Sequence, residues 1–454
     1  MMHSPLSQWA ASQPLQVALS DEHHSYTWAQ LDQQVATLAQ QLTHQGLGAK
    51  DVIAAVGKNS LTLLKLYLAC IEVGAILAPI APAPWPVLQQ KFTTVEPKAV
   101  LWQDAPPPQC GYPRLQLAHQ PEHGLSQTAS ISECQLTSLI FTSGSSGAPK
   151  AVAHTIGQHL ASAKGLLSQF EFTAKDSWLL SLPMYHVSGL AIVWRWLAVG
   201  ATLVMTSSRD LVEDLSQVSH ASLVATQLLR ALGSGQPLGL KRVLLGGSHI
   251  PADLCQRARE LGIDTWLGYG MTEAASTVTA KQTDSLATAG YVLPQRELTV
   301  LDGRIYIRGS TLAAGYYRHG ALTPLALNDQ GWFDTKDLGG WQQSQLKVLG
   351  RADNQFISGG ENIHCEEIEA VLNTHPKVSQ CYIVPVADKE FGQRPVAVLV
   401  AEALLDKAEY DAFIQTKLTK FKWPIAYHLM PPELLGNGIK IPRKAIANWL
   451  QGKL

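Results

Sequence analysis

Apolar and polar positions in the first hundred residues alternate between helical spacing and short continuous apolar runs. Residues 27–46 carry apolar side chains at helical spacing, with Thr27 as a candidate N-cap. The run 51–56 is typical of a buried strand, residues 59–73 return to helical spacing, and residues 75–79 form a second apolar run. Two strands joined by a helix form a β-α-β unit, so this pattern predicts a parallel sheet.

Further strand, turn and helix units follow up to residue 270. The predicted strands cover residues 178–182, 201–205, 222–226, 242–245 and 265–270, and the predicted helices cover residues 156–169 and the segment that ends at Gly200. Loops rich in Gly, Ser and Thr follow several of these strands. Because open α/β sheets bind ligands at the carboxyl ends of their strands, we expect four of these loops to form one site.

The pattern changes after about residue 290, where shorter strands predict a small β-rich subdomain. A break at residues 350–353 precedes about a hundred residues of mixed helices and strands, which is an ordinary domain size. The predicted fold class is therefore α/β. A large N-terminal layered α/β domain, residues 1–350, includes the β-rich subdomain, and a smaller C-terminal α+β domain covers residues 351–454.

Composition narrows the class of protein. Hydrophobic residues make up 46% of the chain and the formal net charge is −1, which fits a folded protein without bulk attraction to nucleic acid or anionic membranes. The six cysteines form no C-x-x-C pair, which favours free thiols in a reducing compartment. The N-terminus lacks a signal pattern, and Lys65 and Glu72 interrupt the most apolar segment, residues 61–82. We expect a cytoplasmic enzyme without a membrane span.

A loop of small and hydroxyl residues follows the apolar end of a predicted strand at residues 139–141. Such a loop can turn backbone N–H groups and hydroxyls toward one point, which suits phosphate oxygens. A flexible linker is the alternative, and the strand before the loop disfavours it. The residue order also differs from a P-loop. The candidate phosphate-binding residues are Thr142, Ser143, Gly144, Ser145, Ser146, Gly147 and Lys150.

Five motifs occur in order along the chain. They are Thr142-Ser-Gly-Ser-Ser-Gly-x-Pro-Lys150, Tyr269-Gly-Met-Thr-Glu273, Gly331-Trp-Phe-x-Thr-x-Asp337, Gly350-Arg-x-Asp353 and Ser358-Gly-Gly-Glu-Asn-Ile363. With the late lysine Lys440, they resemble the adenylate-forming superfamily of acyl-CoA synthetases, peptide-synthetase adenylation domains and luciferases. The resemblance covers essentially the whole chain. It implies the adenylate-forming enzyme fold, in which the C-terminal domain is mobile.

The resemblance also implies a reaction in two steps. A carboxylate attacks ATP to give an acyl-adenylate and pyrophosphate, and a thiol then displaces AMP. ATP, Mg²⁺ and CoA, the last as co-substrate, are therefore expected. Thr272 would donate to the α-phosphate and Glu273 would hold Mg²⁺, which prefers oxygen ligands. Asp337 would accept from the ribose hydroxyls, and Arg351 would reach the ribose or the phosphate.

The other residues implied by the resemblance lie around the adenine, at the hinge and in the C-terminal domain. Tyr269 and Gly270 would face the adenine, with Gly246, Gly247 and Ser248 on its other side. Lys440 would neutralise charge on the α-phosphate, although Asn437-Gly-Ile-Lys440 departs from the usual Ser-Gly-Lys and leaves Lys444 as an alternative. Asp353 falls at the hinge. Gly359 and Gly360 would admit the pantetheine arm of CoA, and an ordinary tight turn is the alternative.

The acid site is expected around His186, Ser188, Arg195, Ser222 and Thr277. Arg195 lies between two tryptophans in an apolar segment, and a buried arginine normally has an anionic partner. That partner is either an internal carboxylate or a second carboxylate of the substrate, and the sequence favours neither.

Two short segments resemble one group of these enzymes in particular. Ser181-Leu-Pro-x-x-His-Val-Ser-Gly189 and Pro385-Val-Ala-Asp-Lys-Glu-Phe-Gly392 are similar to segments of the o-succinylbenzoate–CoA ligases of bacterial menaquinone synthesis. That substrate has two carboxylates, of which the succinyl one is activated. The alternatives are a CoA ligase for another aryl or dicarboxylic acid, a stand-alone adenylation domain that loads a carrier protein, and a non-enzymatic binding relative. The expected partners are small-molecule substrates, and a homo-oligomer is compatible with the sequence.

Overall fold

The computed structural model describes residues 2–117, 130–143, 149–206, 210–247, 250–435, 441 and 443–453. Helices begin where local caps allow. Thr27 and Thr155 each accept a hydrogen bond from the backbone three residues later, while Gln30 and Gln158 return it in a capping box. The α-helices are α1 (Pro5–Ser12), α2 (Trp28–His44), α3 (Leu61–Val73), α4 (Trp85–Val95), α5 (Ile156–Leu167), α6 (Val187–Val199), α7 (Leu211–Ser216), α8 (Ala225–Gly233), α9 (Ala252–Glu260), α10 (Cys365–Leu372), α11 (Lys407–Ile414) and α12 (Arg443–Gln451).

Strands alternate with these helices up to residue 271 and dominate thereafter. They are β1 (Met2–His3), β2 (Val17–Ser20), β3 (Ser25–Thr27), β4 (Val52–Val56), β5 (Ile76–Ile80), β6 (Ala99–Trp102), β7 (Ser130–Ile131), β8 (Leu136–Ser143), β9 (Pro149–Thr155), β10 (Ser177–Leu179), β11 (Thr202–Val204), β12 (His220–Leu223), β13 (Arg242–Gly246), β14 (Asp264–Met271), β15 (Ser276–Gln282), β16 (Tyr291–Val292), β17 (Arg296–Leu301), β18 (Arg304–Gly309), β19 (Gly315–Arg318), β20 (Ala321–Thr323), β21 (Phe333–Gln342), β22 (Gln345–Arg351), β23 (Gln355–Ser358), β24 (Glu361–His364), β25 (Gln380–Asp388), β26 (Gly392–Val400) and β27 (Ala426–Leu429). Short 3₁₀ turns cover Thr272–Ala274, Ala352–Asn354, Lys420–Lys422 and Pro432–Leu434.

Two large sheets carry the N-terminal part. One has the order β16-β15-β14-β13-β12-β10-β11-β2-β3, and the other has the order β20-β19-β9-β8-β5-β4-β6. Neighbours from β2 to β14 in the first sheet pair in parallel, as do β4, β5, β6 and β8 in the second. Helices α2, α5 and α6 bury apolar faces in one core with these strands. The predicted parallel α/β architecture is confirmed.

Smaller sheets follow along the chain. Strands β17, β18, β21 and β22 form an antiparallel meander, which is the predicted β-rich part. Strands β23 to β27 form another sheet, and apolar side chains from Phe356 to Leu450 pack in two cores on it. The cores upstream contain residues only up to Leu346. The predicted boundary between residues 350 and 351 lies within β22, and the division into two domains stays a prediction.

One strand was not predicted, and one predicted strand was wrong. Strand β9 (Pro149–Thr155), to which the sequence pattern assigned no element, pairs with β8 on one side and β19 on the other. Residues 222–226 are not one strand, since β12 ends at Leu223 and α8 begins at Ala225. In both places tertiary pairing outweighs the local pattern, because a strand needs hydrogen-bonding partners on neighbouring strands.

Candidate active site

A tight turn between β14 and β15 is the centre of the candidate site. It contains the 3₁₀ turn Thr272–Ala274, followed by two residues at positive φ, Ala275 at 49° and Ser276 at 97°. Nε2 of His154 on β9 lies 2.7 Å from the carbonyl oxygen of Thr272 and donates to it. The turn therefore joins the two large sheets, and it places Thr272 and Glu273 at their junction.

The described residues of the candidate phosphate loop lie at the paired ends of β8 and β9. Thr142 pairs with Lys150, and the backbone of Ser143 pairs with Pro149. The exposed Lys150 ammonium lies 5.2 Å from the ring centroid of Tyr316 on β19. The remaining predicted residues of this loop, Gly144, Ser145, Ser146 and Gly147, lie outside the described residues.

Tyr316 connects the hairpin with the turn. Its hydroxyl donates to Oε1 of Glu273 at 3.1 Å, and the amide of Ala313 donates to the carbonyl oxygen of Glu273 at 2.8 Å. Burial and the neighbouring Glu273 carboxylate raise the pKa of Tyr316, so its hydroxyl stays a donor. Lys150 thus contacts the ring of Tyr316 and Glu273 its hydroxyl, which brings a cation and a carboxylate together at the predicted phosphate site.

The predicted ribose-binding carboxylate is also held by neighbours. The Tyr269 hydroxyl donates to Oδ2 of Asp337 at 2.6 Å, and Nη1 of Arg351 donates to Oδ1 at 3.4 Å. Burial, with the Asp337 charge, raises the pKa of Tyr269 well above its ordinary value. A carboxylate has about four lone-pair positions, so Asp337 keeps acceptor capacity for hydroxyl groups. Nε of Arg351 donates to Asp353 at 2.9 Å.

Glycines open the surface beside Tyr269. Gly246 ends β13 opposite Gly268 of β14, and Gly247 has a φ of 87°. A Cβ atom on Gly270 would lie 1.9 Å from the carbonyl oxygen of Ser276, so only glycine fits there. The predicted adenine-site residues Gly246, Gly247, Tyr269 and Gly270 therefore lie at the ends of two adjacent strands. Ser248 lies outside the described residues.

Arg195 of α6 is buried in the predicted acid site, with only 2% of its surface exposed. Its guanidinium donates to Oγ of Ser222 at 3.4 Å and to Oγ1 of Thr277 at 3.2 Å, and it lies over the Trp178 ring. Across the described ranges of the chain, no carboxylate forms an ion pair with it. Burial lowers the pKa of Arg195 to about 9, and the neighbouring Arg296 contributes, so the group is charged at neutral pH.

His186 and Ser188 begin the helix that carries Arg195. His186 is the N-cap residue of α6, and its ring lies 5.0 Å from that of Tyr185. Ser188 precedes Arg195 by seven residues, close to two helical turns, so the two side chains lie on the same face. Three of the five predicted acid-site residues, Arg195, Ser222 and Thr277, are in contact, and the other two lie on the same helix or at its start.

The structure shows where some of the predicted hinge and C-terminal residues lie, and their roles stay predictions. Asp353 lies in the 3₁₀ turn between β22 and β23. Gly359 and Gly360, at φ values of 58° and 88°, form the two-residue turn between β23 and β24, which is the alternative that the sequence left open. Lys440 lies outside the described residues, and Lys444 is an exposed residue of α12.

A metal ion at this site would be held mainly by phosphate oxygens and water, and less by protein side chains. Among the residues that the structure describes, no three His, Cys, Asp or Glu side chains are grouped as a metal site. Glu273 is a single, partly exposed carboxylate. This fits Mg²⁺, which commonly takes one or two protein carboxylates and completes its shell with phosphate oxygens and water.

Three contributors were not identified from the sequence. Tyr316 contacts Glu273 and Lys150, while Ser162 and Arg296 are bonded to each other behind the turn. The only sequence signal at Arg296 is a charge at the start of an apolar strand.

The described helices include none that is both long and apolar enough to cross a membrane.

Comparisons with known proteins agree with this geometry. Residues 6–317 match the family model of AMP-binding enzymes, and residues 367–434 match that of the AMP-binding enzyme C-terminal domain. A 2-succinylbenzoate–CoA ligase of Escherichia coli (strain K12) is 40% identical over 448 residues, which cover 98% of each chain.

Solved structures give the same result. An arginine-to-lysine variant of E. coli MenE with bound OSB-AMS has a TM-score of 0.91 at 39% identity and covers 100% of both chains. The o-succinylbenzoate coenzyme A synthetase (MenE) of Bacillus subtilis, in complex with ATP and magnesium ion, has a TM-score of 0.83 at 26% identity. That match covers 94% of this chain and 96% of the other.

Proposed function

The chain belongs to the family of AMP-binding enzymes, and we propose that it is a 2-succinylbenzoate–CoA ligase of menaquinone biosynthesis. The reaction consumes o-succinylbenzoate, ATP and CoA and yields o-succinylbenzoyl-CoA, AMP and pyrophosphate. We place it in the cytoplasm, where ATP and CoA are available. The near full-length similarity to a ligase of that name supports the activity, and one buried side chain supports the acid.

The observation that carries the proposal is Arg195. Its guanidinium donates to two hydroxyls, the residue is 2% exposed, and no carboxylate among the described residues pairs with it, so the group has lost its hydration without gaining a counter-charge from them. A ligand carboxylate in this pocket supplies that charge and can accept two parallel N–H donors. Since the carboxylate that reacts with ATP must lie at the α-phosphate, the one at Arg195 is a second carboxylate. o-Succinylbenzoate has both, a benzoate group and a succinyl group.

In the first step, the succinyl carboxylate attacks the α-phosphorus of ATP and pyrophosphate leaves. The two reactants are both anions, so the site must offset their repulsion. Lys150 on β9 would bind the β- and γ-phosphates, and Thr272 in the turn after β14 would donate to the α-phosphate. Glu273 would hold Mg²⁺, which when bound neutralises charge on the phosphates. Asp337 and Tyr269 hold the ribose and adenine.

In the second step, the CoA thiol attacks the acyl carbon and AMP leaves. Lys440 serves the first step by neutralising the α-phosphate, and rotation at Asp353 moves it away before the thiol enters beside Gly359 and Gly360. The contact between Arg351 and Asp353 places this hinge next to the ribose carboxylate Asp337. A movement of the hinge would therefore also move Arg351, which contacts the ribose carboxylate.

The test is release of AMP and pyrophosphate with o-succinylbenzoate, measured with and without CoA. A second substrate isolates the carboxylate at Arg195, namely 3-benzoylpropionate, which lacks only the benzoate carboxylate. The unmodified enzyme should prefer o-succinylbenzoate by about 100-fold in kcat/KM, because a buried, hydrogen-bonded charge pair is worth roughly 2–5 kcal/mol. Turnover of benzoate or a fatty acid, without turnover of o-succinylbenzoate, would refute the proposal.

Arg195→Met completes the experiment. It should raise KM for o-succinylbenzoate by about 100-fold, change KM for ATP less than about 3-fold, and abolish the preference over 3-benzoylpropionate. Arg308→Met is the matched control, since Arg308 is an arginine whose partner is the surface carboxylate of Glu297. The control should leave all three constants unchanged. Equal effects of Arg195→Met on both acids would mean that Arg195 only supports the fold.

A further inference from the structure

The turn at residues 272–277 is strained. Ala275 and Ser276 are consecutive non-glycine residues at φ values of 49° and 97°. Such conformations are energetically unfavourable and persist only where surrounding contacts hold them. The strained pair lies between Glu273, on the nucleotide side, and Thr277, which contacts Arg195 on the acid side. Its backbone therefore determines how far apart the two reactants are held.

One side chain holds this strained backbone directly. Oγ of Ser162, on α5, donates to the carbonyl oxygen of Ala275 at 2.5 Å, and Ser162 is 4% exposed. Arg296 at the start of β17 supports Ser162 from behind. Its Nη2 donates to both Oγ and the carbonyl oxygen of Ser162 at 3.0 Å, and its Nη1 donates to the carbonyl oxygen of Pro294 at 2.8 Å.

The helix accommodates this arginine at a cost. A Cβ atom on Gly165 would lie 2.1 Å from Nη1 of Arg296 and 2.6 Å from the carbonyl oxygen of Pro294. A glycine inside a helix is less favourable than alanine. Arg296 is 6% exposed, and within the described part of the chain no carboxylate forms an ion pair with it. An ordinary salt bridge therefore does not explain why a buried charge lies here.

We propose that Ser162 and Arg296 are positioning residues, which act as a strut that holds the strained turn and sets the separation between the bound acid and the nucleotide. This inference rests on the proposed adenylation reaction. Arg195 and Ser222 lie on other elements, as does the phosphate hairpin, so each reactant still binds when the strut is lost. What changes is their relative placement, and a displacement near 1 Å can cost up to about 100-fold in rate.

The test is the rate of adenylate formation from o-succinylbenzoate and ATP, measured as pyrophosphate release. Ser162→Ala should lower kcat by about 10-fold or more, while KM for each substrate changes less than about 3-fold. Arg296→Lys keeps the charge but loses the fork of donors, so a smaller fall in kcat is expected. Ser168→Ala is the matched control, because it removes a hydroxyl bonded to a carbonyl of the same helix, that of Gly165. It should leave kcat unchanged.

A rescue separates positioning from general support of the fold. Ser276→Gly removes the strain, since glycine adopts positive φ freely. In the Ser162→Ala background it should restore most of kcat, and alone it should leave kcat near that of the unmodified enzyme. If Ser162→Ala leaves kcat unchanged, or if Ser276→Gly gives no recovery, the positioning role of Ser162 and Arg296 is refuted and the proposed function stands. An unmodified enzyme that does not use o-succinylbenzoate would refute both.

Discussion

Lowering the pH from about 7 to about 5 should destabilise the protein through two buried histidines behind the active site. His154 and His159 have ring centroids 4.9 Å apart, and both are buried. Nε2 of His154 donates to the carbonyl oxygen of Thr272, and Nε2 of His159 shares a hydrogen bond of 2.8 Å with the hydroxyl of Ser138. Among the described residues, neither ring forms an ion pair, so protonation would bury an uncompensated charge.

The magnitude follows from the pKa of His154. Burial lowers this pKa to about 4, against about 6.5 in an unfolded chain. Between these values the unfolded state binds more protons than the folded state. Stability is therefore complete above pH 6.5 and falls as the pH approaches 4. For one group, the loss between about pH 7 and about pH 5 is roughly 2 kcal/mol. Burial lowers the pKa of His159 in the same direction, which adds to the loss.

Urea unfolding followed by tryptophan fluorescence at both pH values measures this loss. His154→Gln keeps a side-chain N–H that can donate to Thr272 but cannot take up a proton, so it should reduce the pH dependence by about 2 kcal/mol. His44→Gln, at the exposed end of α2, is the control and should keep the full dependence. If His154→Gln loses as much stability as the unmodified protein over this pH range, the reasoning is wrong.

Three further predictions concern the reaction. Lys440→Ala should lower adenylate formation by at least about 100-fold and spare thioester formation from synthetic adenylate, and equal loss in both steps would contradict the assigned role. Glu273→Gln should raise the Mg²⁺ concentration for half-maximal rate by about 10-fold or more, because a neutral amide is a weaker ligand, and an unchanged Mg²⁺ titration would exclude Glu273 as that ligand. Asp337→Asn should raise KM for ATP by about 10-fold with little change in KM for the acid, since it weakens hydrogen bonds to the ribose. Tyr269→Phe removes the hydroxyl that donates to Asp337 and should have a smaller effect on the same constant.

Elements with local signals were predicted well. The helix expected over residues 27–46 is observed as Trp28–His44, and its Thr27 cap forms a full capping box. The first β-α-β unit also agrees within two residues at each boundary. Strand β9 was missed because Pro149 and its small neighbours carry little intrinsic β preference. The strand exists because β8 and β19 offer hydrogen bonds on both sides.

The site was only partly accessible to such reasoning. The motifs made Glu273 and Asp337 candidates, because reacting with ATP requires particular residue types in a particular order. Arg195 became a candidate because it lies between two tryptophans in an apolar segment. The motifs could not show that Tyr316 contacts both Lys150 and Glu273, since a tyrosine in an alternating strand is usually part of the core.

By itself, the sequence determined the alternation of strands and helices in the first β-α-β unit, the Thr27 cap, and the chemical groups available for a reaction with ATP. These depend on residues near one another in the chain. Only the tertiary structure decided that Arg195 meets Ser222 and Thr277 and no carboxylate of the described residues, and that Ser162 holds the strained turn at Ala275. Whether a buried charge has a partner, and whether a strained backbone is supported, depends on contacts between segments far apart in the sequence, which packing of the whole domain sets.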